Sequence, residues 1–463
     1  MAILFTGSVF AENKRPKVVV VGAGLAGLTT AYRLHQKGVD VHVYEARNRV
    51  GGRVFTAKIG ENIAELGGQN VTDGGEAENI QRLIEELNLE LTGNKVDLNH
   101  SYFTGEEFIP IQQLLASIKC DPEILKKQLD DLGQRSRNMR EVLNGLFEEE
   151  DPLYKTMAVR LAAYEGAPID KLSSCYTNSL YHMLLGGISA AHQGSGEETN
   201  HVHLVSLKGG NALLPEKMAQ TLGDKLHLNK PLKKIAKADN SFLLTFQDDQ
   251  KVQADVLVLA IPCSVYEAIV FEGDILPSER LEAIKNVQYG TNAKIMVPFH
   301  IPPLEGTAII NDRSANFFDA DRSILTMYYT GEASVFTSDT IEHTYNQNRT
   351  MMEMGFKDAC PPLILPVFAK DLSFALYEGP VGYSWPNDPY AKGSYSCIAP
   401  GQETVFTSLK EVRGEIVKTL FAPIDQKLYF AGEHASILMD FPGTMEGACE
   451  SGERAARMIL HTL

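Results

Sequence analysis

The chain has 463 residues, of which 44% are hydrophobic and 22% charged, a composition typical of a globular protein with room for two domains. Its formal net charge of −16 argues against a nucleic-acid partner, because phosphate binding needs a basic surface. No apolar run approaches the roughly 18 residues that a membrane-spanning helix would need.

The first residues, MAILFTGSVFAENKRP, form a leader over 1–16. Val9-Phe10-Ala11 has the small-residue pattern of a signal-peptidase site, but the segment lacks a basic start. It is either the remnant of a longer signal peptide or a short apolar leader before a cytoplasmic enzyme. The location of the protein therefore stays open between the cytoplasm and a periplasmic or secreted fate.

The sequence VVVVGAGLAGLTTAYRL predicts a buried strand over Lys17 to Val21 that turns into a helix over Leu25 to Gln36. Gly22, Gly24 and Gly27 occupy the turn in the spacing GxGxxG. The first permits a tight turn, the second lets the backbone approach a pyrophosphate, and the third lets the helix pack close to the strand. Because the helix N-terminus also attracts phosphates, the segment predicts a nucleotide site.

A second strand, DVHVYEA, leads into Glu45, whose carboxylate is placed to accept the ribose hydroxyls of a nucleotide. A glutamate here fits NAD and FAD alike. Arg47 and Arg49 could hold the 2′-phosphate of NADP, although Glu45 would repel that phosphate. The glycine pair at 51–52 then allows a second close approach of backbone to ligand, and Arg53 adds a cation.

The pattern E-x-R-x-R-x-G-G-R, from Glu45 to Arg53, resembles the second signature of FAD-dependent amine oxidases, the family of the monoamine, polyamine and L-amino-acid oxidases. This resemblance implies an α/β fold, in which a Rossmann-like FAD-binding domain is assembled from several segments and an α+β substrate domain is interleaved with it. It also implies that the glycine pair after the strand ENIAE, with Gln69 and Asn70, passes along the flavin ring. A flat ring needs bare backbone beside it.

The resemblance gives the following FAD-binding residues: Gly22, Gly24, Leu25, Ala26, Gly27, Glu45, Ala46, Arg47, Gly51, Gly52, Arg53, Gly67, Gly68, Gln69, Leu232, Gly432, Glu433, Thr444 and Met445. The FAD-binding domain is expected to comprise residues 17–93, 203–276 and 396–463, and the substrate domain residues 94–202 and 277–395. In the middle segment we predict a helix, a strand and a hairpin, followed by a buried strand that ends at Pro262, with Leu232 near the adenine. The substrate domain is expected to be largely helical from Asn94 to Asn200, with alternating strands such as AKIMVPF in its second part.

The six cysteines are dispersed, with neither a CxxC pair nor the short spacing of metal ligands. We therefore expect buried thiols, no disulfide framework and no metal site. They are Cys120, Cys175, Cys263, Cys360, Cys397 and Cys449.

Lys294 stands at the start of the apolar strand AKIMVPF. A lysine in such a place commonly extends its ammonium to water. In the amine-oxidase family, however, a lysine at the matching position holds a water molecule against flavin N5. The resemblance therefore assigns Lys294 a catalytic role, in which its charge stabilises the reduced flavin and assists reoxidation.

The segment VGYSWPNDPYAKGSYSCIAPG contains the only tryptophan, Trp385, close to three tyrosines, a cluster that commonly belongs to a protein core. Its resemblance to monoamine oxidases instead makes Tyr395 one wall of an aromatic cage that orients the amine, with Trp385 in the substrate site. The opposite wall matches Thr444, so half of the cage is missing, which favours polyamines or amino acids over a simple arylalkylamine. Ser394 replaces the cysteine of members with covalent flavin, so we expect non-covalent FAD.

The C-terminal segment predicts a buried strand that breaks at Gly432 and a helix from about Thr444 onward. Small residues on this helix favour close packing against another backbone, and they are Gly447, Ala448, Ser451, Ala455 and Ala456. Gly432, Glu433 and Met445 to Ala448 match the amine-oxidase C-terminal motif. The match implies that the helix N-terminus, after Pro442-Gly443, points its positive dipole at the flavin pyrimidine.

The resemblance implies that the protein oxidises an amine to an imine by hydride transfer to flavin N5, and that oxygen then reoxidises the flavin to give hydrogen peroxide. One alternative is a desaturase or porphyrinogen-type oxidase acting on a C–C bond, and another is a flavin-binding protein without turnover. The amine stays open, since a carboxylate would need an arginine from the substrate domain and Arg135, Arg137, Arg140 and Arg160 are all available. The oligomeric state and the choice between oxidase and dehydrogenase also stay open.

Overall fold

A computed structural model of the chain describes residues 16–59, 62–71, 77–93, 95–97, 99–118, 121–186, 201–203, 205–298, 307–319, 324–348, 351, 381–438 and 443–463. Apart from Pro16, the predicted leader lies outside these residues, as do Cys120, Cys360 and Pro442.

The helices are α1 Leu25–Gln36, α2 Glu78–Glu86, α3 Ile111–Leu115, α4 Pro122–Arg135, α5 Met139–Asn144, α6 Pro152–Glu165, α7 Thr177–Leu184, α8 Leu213–Leu222, α9 Ser278–Lys285, α10 Glu403–Thr407 and α11 Met445–Leu460. Residues 341–348 are also helical. Short 3₁₀ turns lie at Ser174–Tyr176, Gly223–Lys225, Cys263–Ala268, Gly331–Ser334, Ser338–Thr340, Thr419–Phe421 and Glu433–Ala435. None of the described helices is long and apolar enough to cross a membrane.

The first twelve strands are β1 Lys17–Val21, β2 Asp40–Tyr44, β3 Thr56–Ile59, β4 Asn62–Glu65, β5 Leu91–Thr92, β6 Lys95–Asp97, β7 Asn99–Phe103, β8 Phe108–Pro110, β9 His201–His203, β10 Ser206–Leu207, β11 Leu226–His227 and β12 Leu232–Ala238. The remaining strands are β13 Ser241–Phe246, β14 Lys251–Ala254, β15 Val256–Leu259, β16 Val270–Glu272, β17 Ala293–Pro298, β18 Thr307–Ile310, β19 Ser314–Asp319, β20 Ile324–Tyr329, β21 Val381–Ser384, β22 Leu409–Val412, β23 Glu415–Lys418 and β24 Leu428–Phe430.

A parallel five-stranded sheet, in the order β11-β2-β1-β15-β24, brings together strands from the beginning, middle and end of the chain. Its central strands β1 and β15 are almost wholly buried, as expected of runs of valine and leucine that are covered on both faces. After β1 and β2, the chain therefore returns to this sheet three times, with β11, β15 and β24. This sheet with its helices is the predicted Rossmann-like α/β architecture.

Helix α11 packs against α1, the helix that follows the glycine-rich turn. The closest approach is at Gly452, where a Cβ atom would lie 2.5 Å from the carbonyl oxygen of Ala26. Thr30 Oγ1 also donates to the carbonyl oxygen of Gly452 at 3.1 Å. The set of small residues predicted to make this contact omitted Gly452, although close packing of the helix was expected.

A seven-stranded sheet, in the order β21-β17-β20-β19-β18-β7-β8, forms the centre of the predicted substrate domain. The helices α3 to α7 enclose a separate hydrophobic core beside it, which includes Leu129, Met139, Leu161 and Leu180. The region from Asn94 to Asn200 is thus helical only from residue 111 onward, because its first part supplies β7 and β8 to this sheet. The two sheets fall on the predicted sides of the domain division, which we retain as a proposal.

Cys175 is exposed, so the expectation of a buried thiol was wrong there. It lies in the 3₁₀ turn Ser174–Tyr176, whose first and last side chains turn inward and leave the middle one outside. Cys263, Cys397 and Cys449 are buried free thiols.

Candidate active site

Each of the three glycines in the first turn has a different structural role. Gly22 has a φ of +103°, and a Cβ there would lie 2.5 Å from the carbonyl oxygen of Ala260. A Cβ at Gly27 would lie 2.0 Å from the carbonyl oxygen of Gly22, so this glycine allows α1 to pack against the strand. A Cβ at Gly24 would meet no described atom within 4 Å. Gly24 therefore leaves space at the N-terminus of α1 that the described chain itself does not need.

Glu45 is buried at the end of β2, with 3% of its surface exposed. Its carboxylate accepts hydrogen bonds from the backbone N–H groups of Ala23 at 2.8 Å and of Arg47 at 2.9 Å. These bonds fix the carboxylate beside the glycine-rich turn. The position is the one expected for a group that accepts ribose hydroxyls.

Arg47 forms an ion pair with Asp388, which is buried and also accepts a hydrogen bond from the hydroxyl of Tyr383. Arg49 extends over the ring of Phe55, with 4.0 Å between the guanidinium carbon and the ring centroid. The cation that could have bound the 2′-phosphate of NADP thus has a carboxylate partner already. Sequence analysis missed Asp388, because it lies 341 residues from Arg47 along the chain.

Arg53 and Glu433 join the N-terminal and C-terminal segments of the site through a partly buried ion pair of 2.8 Å. Arg53 also donates to the carbonyl oxygen of Ser394 at 2.9 Å, and Ser396 Oγ donates to Glu433 at 2.6 Å. Burial opposes the charge on both groups, but their mutual attraction raises the pKa of Arg53 and lowers the pKa of Glu433. Both groups therefore stay ionised inside the protein.

Two further titratable groups lie next to this pair. Burial lowers the pKa of His434 to about 4, although the charge of Glu433 opposes the shift. Lys418 donates to the carbonyl oxygen of His434 at 3.0 Å, and burial lowers its pKa to about 8. At neutral pH the imidazole is therefore uncharged, while the lysine carries a charge that the fold disfavours.

The depressed pKa of Lys418 predicts a change in stability with pH. Between its folded pKa of about 8 and its ordinary value of 10.5, the unfolded chain holds a proton that the folded chain has released. The stability of the wild type should therefore rise relative to Lys418→Met by about 1 kcal/mol between pH 8 and pH 9. Urea unfolding of both proteins at a fixed excess of FAD measures this difference. A stability difference that does not change with pH would contradict the burial of a charged lysine.

A cavity of about 720 Å³ has Glu45, Arg53 and His434 in its wall. Its volume is within the usual range for cofactor and ligand sites. Its walls include nearly all the predicted residues, namely Gly22, Gly24, Leu25, Ala26, Glu45, Ala46, Arg47, Gly51, Gly52, Arg53, Gly67, Gly68, Gln69, Leu232, Lys294, Trp385, Tyr395, Gly432, Glu433, Thr444 and Met445. Gly27 is not among them, in keeping with its role in helix packing.

Lys294 is 93% buried in the cavity wall and holds the segment predicted to run along the flavin. Its ammonium donates to the carbonyl oxygens of Glu65 at 3.0 Å and Gly67 at 2.8 Å, and to Gln69 Oε1 at 2.8 Å. A Cβ at Gly68 would lie 2.9 Å from Met445 Cγ, so the glycine pair also lies close to the start of α11. The structure thus brings Lys294, the glycine pair and α11 together at one end of the cavity.

The Tyr395 ring is partly exposed to the cavity and its hydroxyl is anchored to α6. It donates to the carbonyl oxygens of Ala163 at 2.9 Å and Tyr164 at 3.1 Å. Burial of the hydroxyl and its contact with Tyr328 raise the pKa of Tyr395 well above the ordinary value. The phenol is therefore neutral, and its ring is fixed in place.

The other two predicted substrate residues, Trp385 and Thr444, also form hydrogen bonds within the protein. Trp385 is buried, and its indole N–H donates to the carbonyl oxygen of Leu66 at 2.9 Å. Thr444 is the N-cap of α11, where Oγ1 accepts from the N–H of Gly447 at 3.1 Å. Sequence analysis missed Tyr328. This residue lies on β20 directly opposite Lys294 on the neighbouring strand β17, and its ring centroid is 5.7 Å from the ammonium. The two tyrosines that end the apolar run ILTMYY were the signal that could have indicated it.

Of the four arginines considered for a carboxylate, Arg160 alone lines the cavity. It is 2% exposed, lies on α6 and donates to the carbonyl oxygen of Met183 at 3.5 Å. Arg135, Arg137 and Arg140 lie outside the cavity wall.

The cavity fits a flavin dinucleotide. Gly24 leaves space for a pyrophosphate beside the N-terminus of α1. No described side chain caps this helix, so its first N–H groups can donate hydrogen bonds to phosphate oxygens. Glu45 and Leu232 line the cavity, and the Glu45 carboxylate could accept hydrogen bonds from a ribose. The bare backbone at Gly67-Gly68 lines the cavity next to Lys294.

Comparison with known proteins finds similarity over most of the chain. The family model of flavin-containing amine oxidoreductases matches residues 25–460. The flavin-containing amine oxidases B of Sus scrofa and Homo sapiens are each 27% identical over 482 residues, which covers 96% of this chain and 86% of the relative. Wild-type putrescine oxidase bound to putrescine superposes with a TM-score of 0.69 at 18% identity, over 96% of this chain and 99% of the other. For cyclohexylamine oxidase from Brevibacterium oxydans IH-35A the TM-score is 0.70 at 20% identity, over 97% and 99% of the two chains.

Proposed function

Because the chain belongs to the family of flavin-containing amine oxidoreductases and is therefore an FAD-dependent enzyme that oxidises amines, we propose that it converts a monoamine, a polyamine or an L-amino acid to the imine and passes the electrons to oxygen. The imine hydrolyses in water. A primary amine, oxygen and water thus yield an aldehyde or a keto acid, ammonia and hydrogen peroxide. Family membership removes the two alternatives that the sequence left open, a C–C desaturase and a flavin-binding protein without turnover.

The observation that carries the proposal is the position of Lys294. Three acceptors from the segment Glu65 to Gln69 fix its ammonium in the wall of the cavity. Such a fixed cation stabilises negative charge that develops nearby, at no cost of reorganisation. It also disfavours the protonated form of an amine bound beside it, because like charges repel. The neutral amine is the form whose neighbouring C–H bond can be oxidised.

The residues that would hold FAD lie along the whole cavity. The turn at Gly22 to Gly27 would hold the pyrophosphate, Glu45 would hold the ribose, and Gly67-Gly68 would lie along the flavin ring. The chemistry that FAD supplies when bound is two-electron oxidation of the carbon next to the amine nitrogen, followed by reduction of oxygen. Helix α11 begins beside the glycine pair, and the positive end of its dipole favours negative charge at that end of the ring.

Tyr395 and Tyr328 orient the substrate in this proposal. The hydroxyl of Tyr395 is anchored by two carbonyl groups of α6, and Tyr328 lies next to it and next to Lys294. Two fixed rings form a wall against which an amine can be held with its C–H bond toward the flavin. Tyr328 thereby supplies aromatic surface that Thr444 does not.

Non-covalent binding of FAD is part of the same proposal. Ser394 occupies the place of the cysteine that carries covalent flavin in some relatives, and its hydroxyl donates to Asn292 Oδ1 at 3.2 Å. A hydroxyl is far less acidic than a thiol and less nucleophilic, so it is poorly suited to form a bond to the flavin.

The visible absorption spectrum of the purified protein tests the proposal. The spectrum is recorded without oxygen while phenylethylamine, cyclohexylamine, putrescine and L-amino acids are added one at a time. We expect one class to bleach the flavin, and we expect oxygen to restore the colour with release of hydrogen peroxide. Cyclohexanol, which lacks the nitrogen, is the control. A flavin that no amine bleaches would contradict the proposal, and bleaching that oxygen does not reverse would contradict its oxidase part.

A further inference from the structure

The seven-stranded sheet turns one face toward the substrate end of the cavity. Lys294 on β17 lies opposite Tyr328 on β20, which in turn lies opposite Ala315 on β19. Ala315 is paired with Ile310 on β18. Because directly paired residues point to the same side of a sheet, these four side chains form one row across the strands. All four line the cavity.

A second row runs beside the first, two residues away along each strand. In it Phe317 is paired with Ala308, and Ala308 with His100 on β7. These three residues also line the cavity. The two alanines, Ala315 and Ala308, thus stand among larger side chains and form a shallow groove that leads away from Lys294. We call this groove the alanine groove.

Strand spacing gives the length of the alanine groove. Neighbouring strands lie about 4.8 Å apart and residues about 3.3 Å apart along a strand, so Ala315 is about 10 Å from Lys294, and Ala308, three strands across and two residues along, is about 16 Å away. An extended carbon chain is a zigzag of bonds about 1.5 Å long and advances about 1.3 Å per bond. The two alanines therefore lie at the depths of about eight and about twelve carbons.

On the described sheet face the groove is uncharged from Tyr328 to Ala308, since this part consists of Tyr328, Ala315, Ile310, Phe317 and Ala308, and His100 follows beyond Ala308. Ile310 also packs with the buried side chains of Tyr102, Ile111 and Val159, which close the groove on the side of α3 and α6. A charged group on the tail of a substrate would lose its hydration here without gaining a charged partner from the groove. An apolar tail gains free energy by leaving water.

We propose that the alanine groove binds the tail of the substrate and that Ala315 and Ala308 set the tail length that the enzyme accepts. The substrate class is a primary amine at the end of an extended, uncharged alkyl or arylalkyl chain. This inference rests on the amine oxidation proposed above and adds the polarity and length of the substrate.

The first test is the anaerobic rate of flavin bleaching divided by the dissociation constant, measured on the wild type with n-alkylamines of increasing length. This ratio should rise about fourfold for each methylene from butylamine to octylamine, because each methylene enters an apolar groove. Amines of similar length with a charged end, 1,8-diaminooctane and 8-aminooctanoate, should react more slowly than octylamine.

The second test uses position within the groove. Ala315→Leu should lower the preference for octylamine over butylamine, taken as the ratio of their bleaching rates divided by dissociation constants, at least tenfold. Ala308→Leu should lower the preference for dodecylamine over octylamine and leave the preference for octylamine over butylamine unchanged. Ala116→Leu, at an exposed site on the same domain, is the matched control and should keep the wild-type profile. Ala315→Val, which adds less volume, replaces Ala315→Leu if the latter does not retain the flavin spectrum.

A wild-type rate that does not increase with chain length would overturn the inference, as would a preference for a charged end, which would point to Arg160 or Glu165 on α6. Equal effects of the two leucine substitutions on both ratios would also overturn it. In each case bleaching by short amines would leave the proposed function intact. If no amine bleached the flavin, the proposed function itself would fail.

Discussion

Replacing Gly24 with alanine is expected to weaken FAD binding at least fivefold while the apoprotein stays folded. A Cβ at this position would meet no described atom within 4 Å, and a φ of −75° suits any L-residue. The added methyl group would instead occupy the space in which the backbone approaches the pyrophosphate. Inserting a methyl group into a packed contact costs about 1–3 kcal/mol, which corresponds to roughly a five- to 150-fold loss of affinity.

Gly27→Ala is the contrasting variant. Its Cβ would lie 2.0 Å from the carbonyl oxygen of Gly22, so either α1 or the turn must move. Both partners of this clash are backbone, which leaves no flexible side chain to relieve it. We expect Gly27→Ala to reduce the yield of folded protein whether or not FAD is present, whereas Gly24→Ala should affect only the holoprotein.

Both variants are measured by removing FAD and titrating it back. Acid precipitation of the wild type should release all FAD into the supernatant, and fluorescence quenching on readdition then gives the dissociation constant. Circular dichroism of the apoprotein reports the fold independently. Unchanged FAD affinity in Gly24→Ala would remove the pyrophosphate from this turn, and flavin retained in the acid pellet would contradict non-covalent attachment.

The parts of the fold that the sequence predicted are those in which local pattern and local structure coincide. The strand, turn and helix around Gly22 to Gly27 follow from hydrophobic periodicity and from glycine spacing within about twenty residues. The strand before Gly432 and the helix after Thr444 follow in the same way. The assembly of these distant pieces into one sheet came from family resemblance, because nothing in a single short window says which strands will be neighbours.

The parts that the sequence did not predict depend on contacts between distant segments. Asp388 forms an ion pair with Arg47, and the buried Lys418 donates to the carbonyl oxygen of His434. Neither Asp388 nor Lys418 belongs to a recognisable motif. The alanine groove is formed by strand register, since alanine is otherwise uninformative about function. Strands β7 and β8, at the start of the region predicted to be largely helical, were not predicted, because β7 is stabilised by pairing with β18, about two hundred residues further along the chain.

The prediction for Lys294→Met separates the chemical role of this residue from its structural one. Loss of the ammonium should slow flavin reduction or reoxidation by at least tenfold, which is about 1.4 kcal/mol of barrier, and removal of a single charge-stabilising donor costs up to about a thousandfold in other enzymes. The substitution also leaves the carbonyl oxygens of Glu65 and Gly67 without a donor that they have in the wild type. Buried acceptors that lose a partner cost about 1–3 kcal/mol each, so some loss of stability is expected as well.

Stopped-flow absorbance distinguishes the two contributions, with Lys294→Arg as the partner variant. Both substitutions disturb the contacts with the segment Glu65 to Gln69, but the arginine keeps a positive charge in the cavity wall. If the charge acts on the flavin, reoxidation by oxygen should be faster in Lys294→Arg than in Lys294→Met, at equal FAD occupancy. Equal losses in the two variants would mean that Lys294 acts through the position of Gly67-Gly68 alone. Rates indistinguishable from the wild type in Lys294→Met would remove this lysine from the chemistry altogether and, with it, the observation on which the proposed mechanism depends.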